Sequence, residues 1–380
     1  MIVYLTTFAL SLLGVWLADI QYEDKRMFLT SSLLAMLPPI VLAGFRDATV
    51  GTDMQVYILS TYEKMVSSGQ GFLDFVSTYD GDLEILYLFI NYLTAQFSDQ
   101  PFLLLIIIHV LIIVPLFATA MKWRPYLSPV LFMFIYYMIF FQESLSIVRQ
   151  SIALSFSMLA FTYLLEKKYV FYAVYSLVAI GFHNTAVIAF AFPLVFFIIK
   201  WFPLQKYYLG YLGLCVAFIL FMMNIELLIA WLIDSGWLDY KYLKYTSLVG
   251  EFEAILGATN LVVKIAVLVY IAFVMLLYVP DTLVKTFLVL AVLDFVFSLC
   301  ALIVQPLDRI SLYFRLVSCL SIPYMLSNYS LSYSSGDRQY QVPVVYAWGV
   351  LLFFYWFYVY MLGNYDDTAD YRLSTTLFAS

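Results

Sequence analysis

Four short motifs carry polar residues that need an explanation in a chain this apolar. "QESLSIVRQSIALS" sets Arg149 and Gln150 at the head of an apolar run, and "GFHNTAV" sets His183 and Asn184 between two such runs. "GFRDATVGTD" packs Arg46, Asp47 and Asp53 behind another, and "QPLDRISLYFRL" carries Asp308, Arg309 and Arg315. Guanidinium groups stay charged at any physiological pH and grip phosphate through paired donors. Arginines beside buried aromatics therefore describe a site for an anionic lipid with a polar headgroup. The pattern does not name a reaction. Each residue also has a plainer use: Arg149 as a snorkelling or capping side chain, Asp308 and Arg309 as a local ion pair, Asp47 and Asp53 as caps, His183 as a structural histidine. His109, in "LLLIIIHVLIIV", reads as a core residue bonded to a neighbouring helix.

The elements that must position these groups are membrane helices. Hydrophobic residues make up 64% of the chain and charged residues 12%, outside the range of soluble domains. Apolar runs of roughly 15–20 residues recur along the whole length, which predicts a single polytopic all-α domain rather than a β-barrel of short alternating strands. Twelve helices are expected, over 2–18, 27–44, 101–120, 127–142, 147–165, 169–182, 184–200, 207–224, 261–279, 284–304, 310–329 and 343–362. The stretch 84–97, "EILYLFINYLTAQF", is short for a span and reads as interfacial or re-entrant within a 45–100 outer loop. A second outer loop covers 225–260. The first segment lacks a basic leader and a small-residue cleavage site, so it reads as a retained helix.

Basic residues orient the bundle. Lys25, Arg26, Lys122, Arg124, Lys167, Lys168, Lys200, Lys206, Lys285 and Arg338 all fall on one side if 84–97 does not cross. By the positive-inside rule that side is cytoplasmic, and both termini face out. The four polar motifs then share the outward-facing ends. Ionisable residues at membrane depth are costly and mark function by default. Cys215, Cys300 and Cys319 lie in apolar runs and read as packing residues, without metal-site spacing or a disulfide framework. No basic cluster suggests nucleic acid. The 33 tyrosines and 34 phenylalanines fit aromatic belts, and stacking platforms for sugar rings as well.

With these motifs in view, the chain resembles the EpsG-type polysaccharide polymerases, relatives of the Wzy O-antigen polymerases. The matching pieces occur in order: "FRDATVGTDMQVY", "DLEILYLFIN", "IVRQSIALSFSMLAFTYLLEKKYVFYAVYSLVAIGFHNTAVIAF" and "LDRISLYFRLVSCLSIPYML". The Arg-Gln helix followed by Phe-His is the most specific of them. The segment at Glu84 departs from the family pattern, with Ile85 after it, and 225–260 matches nothing in the family.

The resemblance implies a GT-C-like bundle and a glycosyl transfer on the outer face of the bacterial cytoplasmic membrane. A glycan on undecaprenyl diphosphate would pass to the non-reducing end of a new lipid-linked repeat unit, giving O-antigen, capsule or exopolysaccharide. Charge developing on the leaving diphosphate calls for preorganised cations, for which Arg149 and Arg309 are candidates and Arg46 a third. The acceptor hydroxyl needs a base, and His183 and Asp53 compete for that role. A carboxylate near arginines is a weak base, which favours His183 slightly. Asp47, Tyr57, Glu84, Gln150, Asn184, Tyr313 and Arg315 complete the expected substrate contacts. The glycines of "GFRDATVGTD" read as allowing backbone to approach substrate. No cofactor is expected, although the residues leave room for one carboxylate-bound divalent ion. A chain-length regulator is the partner the resemblance implies. The competing readings are a flippase for the lipid-linked unit, an O-antigen ligase and a membrane acyltransferase. A flippase calls for charges in mid-helix and an internal repeat, whereas here the charges collect at helix ends.

Overall fold

A computed structural model describes residues 1–202, 204–223, 227, 231, 233–235, 251–278, 281–301, 307–329, 332–335, 338–341 and 344–374. Most described residues of each of the twelve expected stretches are helical, with breaks inside 127–142 and 310–329, and among the described residues eight helical stretches are long and apolar enough to cross a membrane. Among the described residues the fold is all-α except for a short antiparallel ribbon, β1 (Ser332–Ser335) with β2 (Arg338–Gln341), in register Ser332 to Gln341. Much of the expected 225–260 loop lies outside the described residues. Internal contacts divide the chain into two units, Met1–Ala189 with Leu326–Ser380, and Phe190–Met325.

The first unit begins with a helical hairpin, α1 (Ile2–Ile20) and α2 (Lys25–Gly44). The Asp24 side chain starts α2 by accepting from the backbone N–H groups of Arg26 and Met27, which helical geometry leaves without partners. After α2 a π-helical turn (Met54–Ile58) leads into α3 (Leu59–Ser68), followed by α4 (Phe72–Thr78) and α5 (Ile85–Ala95). At 1.5 Å per residue, α5 is about 16 Å long, half of what a bilayer core requires. It packs on α3, α4, α6 (Phe102–Trp123) and α10 (Tyr169–Phe182), so the stretch 45–100, expected as an outer loop, is built of short helices.

The span expected over 127–142 is broken. It forms α7 (Pro129–Ile139), bends at Phe140 and continues as α8 (Phe141–Ser146). A second break at Ile147, with φ −90° and ψ 58°, separates α8 from α9 (Val148–Leu165) and puts Arg149 in the first turn of α9. Aromatic rings fill the core here. Phe8 stacks on Tyr137 at 4.7 Å and meets Phe141 and Trp356 edge-on, geometries that add to the burial of such large rings. Trp356, on α17 (Val344–Trp356), donates to Gln142 at 2.5 Å. His109 is fully buried, with Nδ1 2.9 Å from the Leu105 carbonyl of its own helix, and its ring also interacts with the backbone of Ser144 on α8.

The connections expected on the basic side meet one another. Lys122 and Lys168 both reach Glu166 at 2.8 Å, and Arg124 lies 3.8 Å over the Tyr22 ring. This end of α9 is about 25 Å of helix away from Arg149.

The second unit contains α11 (Ala191–Trp201), α12 (Leu204–Met223), α13 (Glu251–Leu277), α14 (Thr282–Ala301) and α15 (Leu307–Arg315), and most of α16 (Ser318–Asn328). Helix α14 is its centre, packed against α11, α12, α13 and α15.

Candidate active site

The loop behind α2 is held by its own arginine. Arg46 is 1% exposed, and its guanidinium donates to the carbonyls of Ala43 at 2.8 Å, Val50 at 3.2 Å and Leu145 at 2.9 Å. Three of its five N–H donors thus go to backbone carbonyls, and Arg46 braces the loop. Asp47 likewise caps its own turn, accepting from the Thr49 N–H at 3.0 Å and hydroxyl at 2.8 Å. Gly51 has φ +91°, and a Cβ there would stand 2.3 Å from the Leu145 carbonyl oxygen. The close approach its lack of a side chain permits is therefore to the α8–α9 break, not to substrate. The loop is also tied to the C-terminal segment: the Asp47 N–H donates to the Arg372 carbonyl at 2.9 Å.

Asp53 precedes the π-helical turn, and the turn brings Tyr57 round to donate its hydroxyl to Asp53 Oδ2 at 2.6 Å. Burial pushes the Tyr57 phenol well up, so it acts as a neutral donor. The Arg149 guanidinium lies 4.7 Å over the Tyr57 ring and 5.9 Å from that of Tyr87, two aromatic faces that favour a cation.

Glu84 joins three elements. It sits at the start of α5, yet its side chain leaves the helix end uncapped and turns to α9 and α10. One carboxylate oxygen accepts from Arg149 Nη1. The other is 2.9 Å from His183 Nδ1 and accepts from the Asn184 N–H at 3.1 Å. The approach of α10 that makes this possible rests on Gly181, where a Cβ would stand 2.5 Å from the Leu86 side chain. Burial on its own raises the Glu84 pKa, but the His183 hydrogen bond and the Arg149 charge overturn it and hold the carboxyl at about 2.

His183 ends α10 by leaving helical geometry, with φ −158° and ψ 124°. Its side chain is 11% exposed, and Nε2 is buried with no hydrogen-bond partner, as is Nε of Arg149. Buried polar atoms left this way are uncommon and mark places where chemistry or a ligand is accommodated. Of the expected residues, Asp53, Tyr57, Glu84, Arg149, His183 and Asn184 thus form one connected set. Gln150 is buried one position along α9.

Arg309, Tyr313 and Arg315 belong to the second unit, where Arg309 is exposed and Tyr313 and Arg315 are buried. Beside them lies a pair the sequence reading overlooks. Lys264, 2% exposed in the middle of α13, is 3.2 Å from Asp294, buried in the middle of α14, and also contacts Ser298. Asp308 Oδ1 is 3.9 Å from the same ammonium. Charges are therefore not confined to helix ends. The missed signal is a single Lys and a single Asp in apolar helices thirty residues apart. Tyr87 carries no distinguishing signal for a similar reason, as one tyrosine among 33. Among the described residues, no three His, Cys, Asp or Glu side chains are grouped to hold a metal ion.

A family model described as the EpsG family matches residues 29–373. No curated protein matches the chain. No solved structure matches it either.

Proposed function

The chain belongs to the EpsG family, whose members are Wzy-type polysaccharide polymerases, and from that premise we propose that it extends a glycan carried on undecaprenyl diphosphate. The acceptor is the non-reducing-end hydroxyl of a new lipid-linked repeat unit, and the reaction takes place on the outer face of the cytoplasmic membrane. The observation that carries this reading is the linked set Arg149–Glu84–His183 at one end of the first unit.

In the reaction, the acceptor oxygen bonds to the anomeric carbon of the donor glycan. The bond from that carbon to the diphosphate oxygen breaks, and the electron pair leaves with the lipid diphosphate. Arg149, held in a poorly hydrated place, stabilises the charge that develops there. The acceptor proton goes to His183 Nε2, the one ring nitrogen without a partner. Asp53 serves less well as the base because the Tyr57 hydroxyl already bonds its Oδ2. The outward placement is supported by the meeting of Lys122, Lys168 and Arg124 at the opposite helix ends.

Purified protein in lipid nanodiscs, given a synthetic lipid-diphosphate repeat unit, should produce a ladder of extended products, and the R149A variant should not. Absence of a ladder from the wild-type protein overturns the proposal. One observation favours a second reading, transport of the lipid-linked unit: the mid-helix Lys264–Asp294 pair is the kind of feature transporters use. Transfer of the same substrate across a vesicle membrane without extension would establish it.

A further inference from the structure

Glu84 offers two oxygens to three donors, and this arithmetic has a consequence for the reacting nitrogen. Arg149 Nη1 is always a donor, and so is the Asn184 N–H. His183 Nδ1, 2.9 Å from the oxygen that also takes the Asn184 N–H, is the third group, and an ionised carboxylate has no proton to give it. The hydrogen on the neutral ring must therefore sit on Nδ1, which leaves the lone pair on Nε2. We propose that Glu84 is the positioning residue of the transfer reaction. It fixes the His183 tautomer and ring orientation so that Nε2 receives the acceptor proton, and it does so with the carboxylate that anchors Arg149. This rests on the glycosyl-transfer reading above.

The shared carboxylate ties the two halves of the reaction together. The imidazolium that forms when His183 takes the proton is faced by the Glu84 charge, which partly neutralises it. As Arg149 turns its charge toward a leaving diphosphate, less of the Glu84 charge is spent on the guanidinium and more is available to the imidazolium. The other charged and titratable groups nearby are Asp53 and the neutral Tyr57 and Tyr87, which reach the set through Arg149.

The E84Q substitution tests the arithmetic because it keeps the shape and removes one acceptor. A carboxamide has one oxygen and one NH2 group. With its oxygen kept by Arg149, the amide NH2 faces His183 Nδ1 and drives the ring hydrogen to Nε2. Full-length protein carrying 15N-histidine in lipid bilayers reports the tautomer directly, with H183Q used to separate the signals of His183 from those of His109. At a pH where the ring is neutral, wild-type His183 should show a protonated Nδ1 and an unprotonated Nε2, and E84Q should populate the reverse. In the extension assay E84Q should lose on the order of 10²–10⁴-fold in kcat, with KM changed less than about threefold. E84D, which withdraws the carboxylate but keeps its charge, should fall between the two.

A wild-type ring protonated on Nε2 overturns the proposal without reference to any variant. So does an E84Q protein that keeps the wild-type tautomer, or one that keeps the wild-type kcat. Failure of the glycosyl-transfer reading is a separate result: no ladder from wild-type protein whose tautomer is as stated.

Discussion

The hydroxyl of Tyr57 donates to Asp53 Oδ2 at 2.6 Å inside one π-helical turn, while His183 Nε2, the competing proton acceptor, is buried and bonded to nothing. A carboxylate already accepting a strong hydrogen bond is a weaker base. The two candidates should therefore separate on substitution. D53N, which keeps an oxygen for Tyr57, is expected to retain at least about a tenth of the wild-type extension rate. H183A should lose about 10²-fold or more, the usual weight of a positioned general base. Initial rates of ladder formation measure both, and equal losses would remove the distinction.

Arg149 and Glu84 are a partly buried pair, with side chains 17% and 6% exposed. Removing Arg149 takes from Glu84 its full charge partner and leaves only the His183 and Asn184 hydrogen bonds, a loss of about 3 kcal/mol at such sites. R149A should therefore lower the unfolding midpoint in detergent as well as abolish extension. The double variant R149A/E84A should regain at least about 1 kcal/mol of the loss, because neither charge is then stranded. R149K should stay folded, yet it supplies a single point charge where a planar fork is called for. A double variant less stable than R149A would show that the pair contributes little.

The depressed Glu84 pKa fixes a pH window. Its folded value is about 2 against an ordinary 4.5, so the folded protein holds this proton less tightly than the unfolded chain. The stability it contributes is complete above about pH 4.5 and is lost as pH falls from there through 2. Subtracting the pH–stability curve of E84Q from that of wild type isolates this contribution. The difference should be flat from pH 7 to about 5 and shrink below that. A difference already shrinking at pH 6.5 would mean the carboxyl is not held down.

How far the sequence foretold this arrangement depends on what each residue bonds to. Arg149 and His183 are readable because each sits where an apolar run starts or stops, and breaks in membrane helices are where polar groups are tolerated. Arg46 has the same appearance and the opposite fate. Its donors go to three backbone carbonyls, one of them ninety-nine residues away at Leu145, and no local pattern reports a carbonyl left open by a distant break. Glu84 was readable as polar but not as central, since its partners at 149, 183 and 184 come together only when α5 packs on α10. Lys264 and Asp294 are legible only as a pair. The all-α character is legible because length and hydropathy decide it, and eight of the expected stretches are long and apolar enough to span among the described residues, whereas the break inside 127–146 does not show, there being no Pro or Gly at Phe140 to announce it.

The Leu145 carbonyl serves two tenants of one loop, accepting from Arg46 Nη2 at 2.9 Å and leaving room for Gly51 only because glycine has no Cβ. Substituting Gly51 by alanine meets two obstacles. The added methyl would stand 2.3 Å from that oxygen, and φ +91° is strained for any L side chain. Relief must come from moving Leu145, which loosens the Arg46 bond and shifts the break that sets Arg149 at the start of α9. G51A should therefore lose about 1–3 kcal/mol of stability from backbone strain and, through Arg149, most of its extension rate. Gly349 is the control: a Cβ there meets nothing within 4 Å, and it lies within helix α17. G349A should leave stability unchanged or raise it by up to about 1 kcal/mol, with the extension rate intact. Thermal unfolding and ladder assays on the two variants side by side decide the matter, and a G51A protein as active as G349A would show that the loop does not rest on the α8–α9 break.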